Sequence, residues 1–221
     1  MLKINKLVKK YEDSDSNTLN ILDVTFNSAT ITRIIGPNGI GKTTFLSVIS
    51  GLSFFEGEII FNNVSIKQNY QKYLSMISYV GNKLFLYDLL TGEEMIKFVQ
   101  KMLPVNLNLI EDLSYFISES KLLKYLKLFT KDMSLGTKQK LSIVLALLVK
   151  PKLLLLDEPF VNLDENSKNA LIEILQSRSK NEKMITIYAT HSKEDRIENL
   201  ADQTAMLVNN KNDGAHLIWQ S

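Results

Sequence analysis

The run Gly36-Pro37-Asn38-Gly39-Ile40-Gly41-Lys42-Thr43-Thr44 has the spacing G-x-x-x-x-G-K-[ST] of a phosphate-binding loop. That loop works only between a strand and a helix, and the flanks supply both. Ile31–Ile35 is a short apolar, β-branched run, which reads as a buried strand. Thr44–Ser50 has helix-compatible apolar spacing and stops at Gly51, a residue suited to the position just past a helix end. A triphosphate needs several donors at once, and backbone N–H groups are the densest source. Gly39 and Gly41 take backbone angles closed to other residues. With Asn38 and Ile40 they shape a concave nest of N–H groups at the positive end of a helix. Lys42 adds a charge for the β- and γ-phosphates, Thr43 a hydroxyl for Mg²⁺, and Thr44 support for the α-phosphate.

A second stretch answers the first. Leu153–Glu158 reads L-L-L-L-D-E, followed by Pro159. The pure apolar run is expected of a central parallel strand covered on both faces. An acid at its carboxyl end points into the crevice where open α/β sheets bind ligands. Asp157 is then placed to hold Mg²⁺, and Glu158 to polarise a water for in-line attack on the γ-phosphate.

Around these motifs, Leu2–Val8 (Leu2, Ile4 and Leu7/Val8 against polar neighbours) and Ile21–Phe26 alternate as strands, and Ile31–Ile35 follows. Three strands before the loop suggest an antiparallel layer, with Glu12–Asn17 as a polar turn. Gly57–Phe61 and Met76–Val80 are further strands. From about Asp88 to Val149 the spacing is helical: Gly92–Leu103, ended by Pro104, then Leu109–Ser118, Leu122–Phe129 and Thr137–Val149. Strands at Met184–Ala189, Thr204–Val208 and His216–Trp219 alternate with helices at Lys168–Ser177 and Lys193–Leu200. The fold class expected is α/β: a P-loop parallel-sheet core, an N-terminal antiparallel β layer and an inserted helical subdomain. One domain spans 1–221, with 1–87 and 151–221 as core and 88–150 as the helical part.

A chain of 221 residues with 45% hydrophobic and 23% charged residues has material for one large core. Its net charge of +2 by itself argues for neither nucleic acid nor a membrane surface, and no nucleic-acid partner is expected. With no cysteine, disulfides and thiolate-bound metals are excluded. The longest apolar segment, Leu141–Leu156, is broken by Ser142 and by Lys150-Pro151-Lys152, so it does not read as a membrane span.

The order of motifs from Tyr11 to His191 resembles the ATP-binding subunits of bacterial ABC transporters. Met133-Ser134-Leu135-Gly136-Thr137 resembles the family's L-S-G-G-Q signature, and Asn162-Leu163-Asp164 its D-loop. Tyr11 resembles the aromatic that stacks on adenine. His191 looks like the switch histidine at the γ-phosphate. Asn82, ending Ile77–Asn82, stands at the glutamine of the Q-loop, one methylene shorter. By that resemblance Glu158, His191 and Lys42 are catalytic. Tyr11, Asn38, Gly39, Ile40, Gly41, Lys42, Thr43, Thr44, Asn82, Ser134, Gly136 and Asp164 bind ATP. Thr43, Asn82 and Asp157 hold Mg²⁺. The resemblance implies head-to-tail dimers, with itself or with another such ATPase, each ATP lying between one chain's loop and the other's signature.

It also implies a separate transmembrane permease subunit, docked by Leu84, Phe85 and Tyr87, and a peripheral place on the cytoplasmic face of the membrane. Leu135 departs from the family's glycine. It is expected to restrict the backbone and weaken the signature, which favours a partner ATPase with an intact one. Export is the direction expected, because the chain ends soon after its core strands. The alternative is a soluble ABC-type ATPase of DNA repair or translation. Those resemble longer chains with coiled coils, zinc cysteines or paired cassettes. A GTPase would want N-K-x-D, whereas Asn82-Lys83 is followed by Leu84-Phe85.

Overall fold

The computed structural model describes residues 1–12, 16–102, 109–210 and 213–220. In chain order it runs through strands β1 (Leu2–Lys9), β2 (Leu19–Phe26) and β3 (Ile31–Ile35), then helix α1 (Lys42–Ile49). Strands β4 (Glu56–Phe61) and β5 (Val64–Ser65), helix α2 (Tyr70–Leu74) and strand β6 (Ile77–Val80) follow. Helices α3 (Gly92–Met102), α4 (Leu109–Glu119) and α5 (Leu135–Leu148) form the helical part. Strand β7 (Leu153–Asp157), helix α6 (Glu165–Glu182), strand β8 (Ile185–Ala189), helix α7 (Asp195–Glu198) and the hairpin β9 (Gln203–Asn210) and β10 (Gly214–Gln220) complete it. Pro104, read as ending a helix, and part of the turn at Glu12–Asn17 lie outside the described residues.

The strands make one sheet in the order β5-β4-β1-β2-β10-β9-β3-β8-β7-β6. Its two halves differ. β1 pairs antiparallel with both β2 and β4, whereas β6, β7, β8, β3 and β9 are parallel neighbours. β10 stitches them, antiparallel to β9 and touching β2 at the single parallel pair Ala215–Leu19. The expected N-terminal layer is therefore β1 and β2 with β4, and β3 is not part of it. Ile31 and Ile34 are buried because β3 lies mid-sheet between β8 and β9. A run covered on both faces reads alike in either kind of sheet until its neighbours are known.

Leu153, Leu154, Leu155 and Leu156 are all fully buried. Leu153 and Leu155 join the core shared with α1 and the antiparallel strands; Leu154 and Leu156 join the core shared with α5 and α6. In β1 the buried set runs Leu2, Ile4, Leu7, a change of phase at Asn5. There the pairing with β4 slips by one residue, as a β-bulge requires.

The helix expected over Leu122–Phe129 is instead a 3-10 turn, Leu122–Tyr125. Its backbone bonds elsewhere: Glu93 N–H donates to Leu126, Gly92 N–H to Leu128, and Thr130 N–H to Leu90. α5 starts two residues earlier than its apolar pattern, because Ser134 caps it through Thr137 N–H at 3.2 Å.

Gly57 sits at φ +117° where β4 crosses β1, and a Cβ there would lie 2.1 Å from the Lys6 carbonyl oxygen. Gly57→Ala is expected to lower stability by at least about 2 kcal/mol, read as a drop in denaturant midpoint. Gly39→Ala, at φ +77° with nothing within 4 Å of the added carbon, should lose clearly less.

Candidate functional site

Parallel pairing brings the site together. Ile34 lies opposite Ala189, and Ala189 opposite Asp157, so β3, β7 and β8 end at one level. Val80 pairs with Leu156, which sets Asn82 at the same edge. The loop after β3 therefore starts beside the acids that end β7, as crevices at the carboxyl ends of parallel strands demand.

Gly36, Gly39 and Gly41 have φ of 149°, 77° and 109°. Gly41 is the N-cap of α1 with no side-chain cap, and the helix's first turn carries no acid. The first-turn N–H groups lack partners within the helix, and its dipole presents positive charge there. They border a cleft of about 440 Å³ whose loop-side lining is Asn38, Gly39, Gly41, Lys42, Thr43 and Thr44. Asn82, Asp157, Glu158 and His191 close the other side. Ile40 is the exception within the loop. It packs on the hydrophobic core, and its N–H donates to Pro37 O at 3.4 Å.

Lys42 is buried, and its Nζ donates to the carbonyls of Gly36 at 2.8 Å and Pro37 at 3.0 Å. Burial lowers its pKa, and the charges of Glu158 and Asp157 raise it in part. Asp157 is only 3% exposed. One oxygen, Oδ2, accepts from Thr43 Oγ1 at 2.7 Å and from Asn82 Nδ2 at 3.1 Å. Burial pushes this carboxyl up from the ordinary 3.8, while the bond from Thr43 pulls it down.

Glu158 turns sharply, at φ 51°, as its N–H donates to Ala189 O at 2.9 Å. Its Oε2 accepts from Thr190 Oγ1 at 3.1 Å and from His191 N–H at 3.2 Å. Its Oε1 is buried without a hydrogen-bond partner among the described residues, 3.4 Å from His191 Nε2. Glu158 lines the cleft, and a carboxylate oxygen with no hydrogen-bond partner keeps lone pairs with which to accept a proton. Thr190 escaped the motif reading; a hydroxyl directly before the histidine was the available signal.

No cluster of three His, Cys, Asp or Glu able to hold a metal occurs among the described residues. The donor set that fits a hard cation is Asp157 with Thr43 and the Asn82 amide. Mg²⁺ characteristically combines so few protein oxygens with phosphate oxygens and water.

Tyr11 stands at the rim. Its hydroxyl lies 3.1 Å from Thr44 Oγ1, its ring under Lys9 Nζ at 4.6 Å. It also lines a wider depression of about 1020 Å³ along the antiparallel layer. The two clefts thus meet at the Tyr11–Thr44 contact.

Ser134, Gly136 and Asp164 do not line the cleft. Ser134 caps α5, and Asp164 caps α6 while pairing with Lys140 at 2.5 Å. Partial burial opposes ionisation of Asp164, but Lys140 and Ser167 hold it down at about 2. A Cβ on Gly136 would come 2.5 Å from Asn162 O, so this glycine lets the first turn of α5 pack against the backbone at Asn162. Leu135 is 58% exposed in the first turn of a right-handed helix. The expected backbone restriction is absent there, and only its bulk remains. A groove of about 170 Å³ between the end of β6 and α5 includes Leu84 and Phe85. Tyr87 lies outside it, its ring against Phe98.

A model described as ABC transporter matches residues 19–161. The chain is 33% identical over 212 residues to the lantibiotic transport ATP-binding protein SrtF of Streptococcus pyogenes, spanning 96% of this chain and 88% of that one. It is 32% identical over 193 residues to the molybdenum import ATP-binding protein ModC of Saccharophagus degradans, covering 85% of this chain and 52% of the relative. A solved structure of an ATP binding subunit of an ABC transporter superposes with a TM-score of 0.82 at 28% identity, over 93% of this chain and 85% of that one. The ATP-binding cassette MJ0796, dimeric and bound to ADP and phosphate, shares the fold at a TM-score of 0.79 and 20% identity, over 93% and 94%.

The raised pKa of Asp157 means that its ionised form costs the ligand-free fold stability. That cost is complete above the raised folded-state pKa and vanishes below the unfolded value. Asp157→Asn keeps an acceptor for Thr43 without the charge. It is expected to raise the melting temperature of the nucleotide-free protein near neutral pH. The gain should shrink as pH falls toward 3.8.

Proposed function

The chain belongs to the ABC transporter family, and from that premise we propose that it is the ATP-hydrolysing subunit that drives a separate transmembrane permease. The observation that supports this best is the convergence on one cleft of the α1 N-terminus, Lys42, Asp157 and Glu158. ATP lies with its phosphates on the N–H groups of Gly39 and Gly41 to Thr44 and its adenine on Tyr11, at the junction of the two clefts. Lys42 exchanges its carbonyl partners for β- and γ-phosphate oxygens. Thr43, Asp157 and Asn82 would hold Mg²⁺, which would supply neutralisation of the phosphate charge. Asn82 gives its N–H to Asp157, which leaves its carbonyl oxygen for the ion or its water.

Glu158 accepts a proton from the attacking water through Oε1, the oxygen without a partner. The water oxygen bonds to the γ-phosphorus, and the bond to the β–γ bridging oxygen breaks, releasing ADP and phosphate. Thr190 and the His191 N–H fix the carboxylate through Oε2, and the imidazole reaches the γ-phosphate.

Two subunits pack head to tail, so that Ser134, Gly136 and Asp164 of each face the ATP of the other. Their position off the chain's own cleft fits that arrangement. Leu135 projects its side chain where phosphate must approach, which favours pairing with an ATPase whose signature is intact, over a homodimer. Residues 88–150 form the helical subdomain, and the groove at Leu84 and Phe85 receives a short helix of the permease at the cytoplasmic face of the membrane. The likeness to the lantibiotic transport protein along most of its length supports transport as the process served; export remains the direction proposed.

Glu158→Gln is expected to slow hydrolysis by about 10²- to 10⁴-fold while ATP binding persists. An unchanged rate overturns its assignment as the base. Leu135→Gly should raise kcat of the isolated protein with the KM for ATP unchanged. No gain would mean that bulk at this turn does not limit the signature.

A further inference from the structure

The segment Lys121–Asp132 crosses the surface of the helical part in two 3-10 turns, Leu122–Tyr125 and Thr130–Asp132. Three side chains anchor it. Leu122 and Leu126 join the core, and Thr130 donates its hydroxyl hydrogen to the Tyr87 carbonyl at 2.7 Å. The residues between the anchors face outward. Leu123 is 64% exposed, and Tyr125, Leu128 and Phe129 are each more than 40% exposed. Lys121, Lys124, Lys127 and Lys131 are exposed among them, and Asp132 is the segment's acid.

The neighbouring chain widens this strip. Thr130 N–H donates to Leu90 and Lys131 N–H to Asp88, which lays the exposed Tyr87 and Leu89 alongside. Tyr87 in turn meets Phe98 edge-on at 5.7 Å. Asp88 and Glu93 border the strip, while Glu94 is turned back onto Thr91 as a helix cap.

Exposed apolar side chains clustered in this way mark a contact surface. Its composition selects the partner. Lysine is depleted from protein–protein interfaces, yet here it recurs between exposed Leu, Tyr and Phe. That interleaving suits a bilayer interface, where aromatic and leucine side chains enter the headgroup layer and lysine stems reach back to lipid phosphates. No helix among the described residues is long and apolar enough to cross a membrane, so the contact is one of lying on the surface.

We propose that the Lys121–Lys131 strip, with Tyr87 and Leu89, rests on the anionic headgroups of the membrane beside the permease. The inference rests on the transport reading, which brings the protein to a membrane. Lipid binding and ATP hydrolysis are nevertheless separate readouts, so either fails without the other.

The test is sedimentation of the full chain with vesicles of phosphatidylcholine, with and without phosphatidylglycerol. Binding is expected only to the anionic vesicles, and salt should release it. Lys124→Gln with Lys127→Gln should weaken binding about fivefold per lysine removed, with hydrolysis unchanged. Equal binding to both vesicles, or undiminished binding by the double variant, overturns the proposal. If that variant also loses hydrolysis, Tyr125→Trp in a Trp219→Phe background decides. Anionic vesicles should shift its indole emission to the blue, and an unmoved spectrum overturns the proposal. Capture of an acidic peptide by the strip without vesicle binding also overturns it, assigning a protein partner instead.

Discussion

The hydrogen bond from Thr43 to Asp157 joins two parts of the chain that sequence separates widely, and much of the structure exists to allow it. Thr43 lies in the first turn of the helix that follows the glycine loop. Asp157 ends a strand with no exposed residue. The two meet only if β3, β8 and β7 are parallel, adjacent and in the register observed. The leucine run of β7 serves that end: a strand covered on both faces has one stable depth in the sheet, and so delivers its terminal acids to one place.

That place is electrostatically expensive. A buried carboxylate and a buried ammonium lie together, each with its charged form disfavoured by burial. The ammonium is met by loop carbonyls, Asp157 by a hydroxyl and an amide. One oxygen of Glu158 is met by no hydrogen bond among the described residues. A phosphate chain with a divalent ion would supply the missing counter-charges, and these buried groups would then be a source of ligand affinity. Such local conflict with stability is expected where a fold carries a function.

Much of this was legible in the residues. Glycine loop, lysine and leucine-strand acids are local signals whose types follow from chemistry, and the structure assembles them in one cleft. What escaped was set by partners distant in the chain. β3 looked like a third member of the N-terminal layer because its neighbours, β8 and β9, arrive some 150 residues later. Leu122–Phe129 has helical spacing, but its backbone bonds to residues 90–93 instead. Leu135 looked costly from the missing glycine alone. Ser134, by capping α5, puts it in a helical conformation that leucine adopts freely.

If the loop after β3 and the acids after β7 bind one magnesium nucleotide together, both must contribute to its affinity. Calorimetric titration of ATP into wild type and Lys42→Ala, each with and without magnesium, tests it most directly. A single site is expected, whose affinity falls by at least about tenfold in the variant, and in wild type when magnesium is withheld. Equal affinity in all four titrations would contradict it.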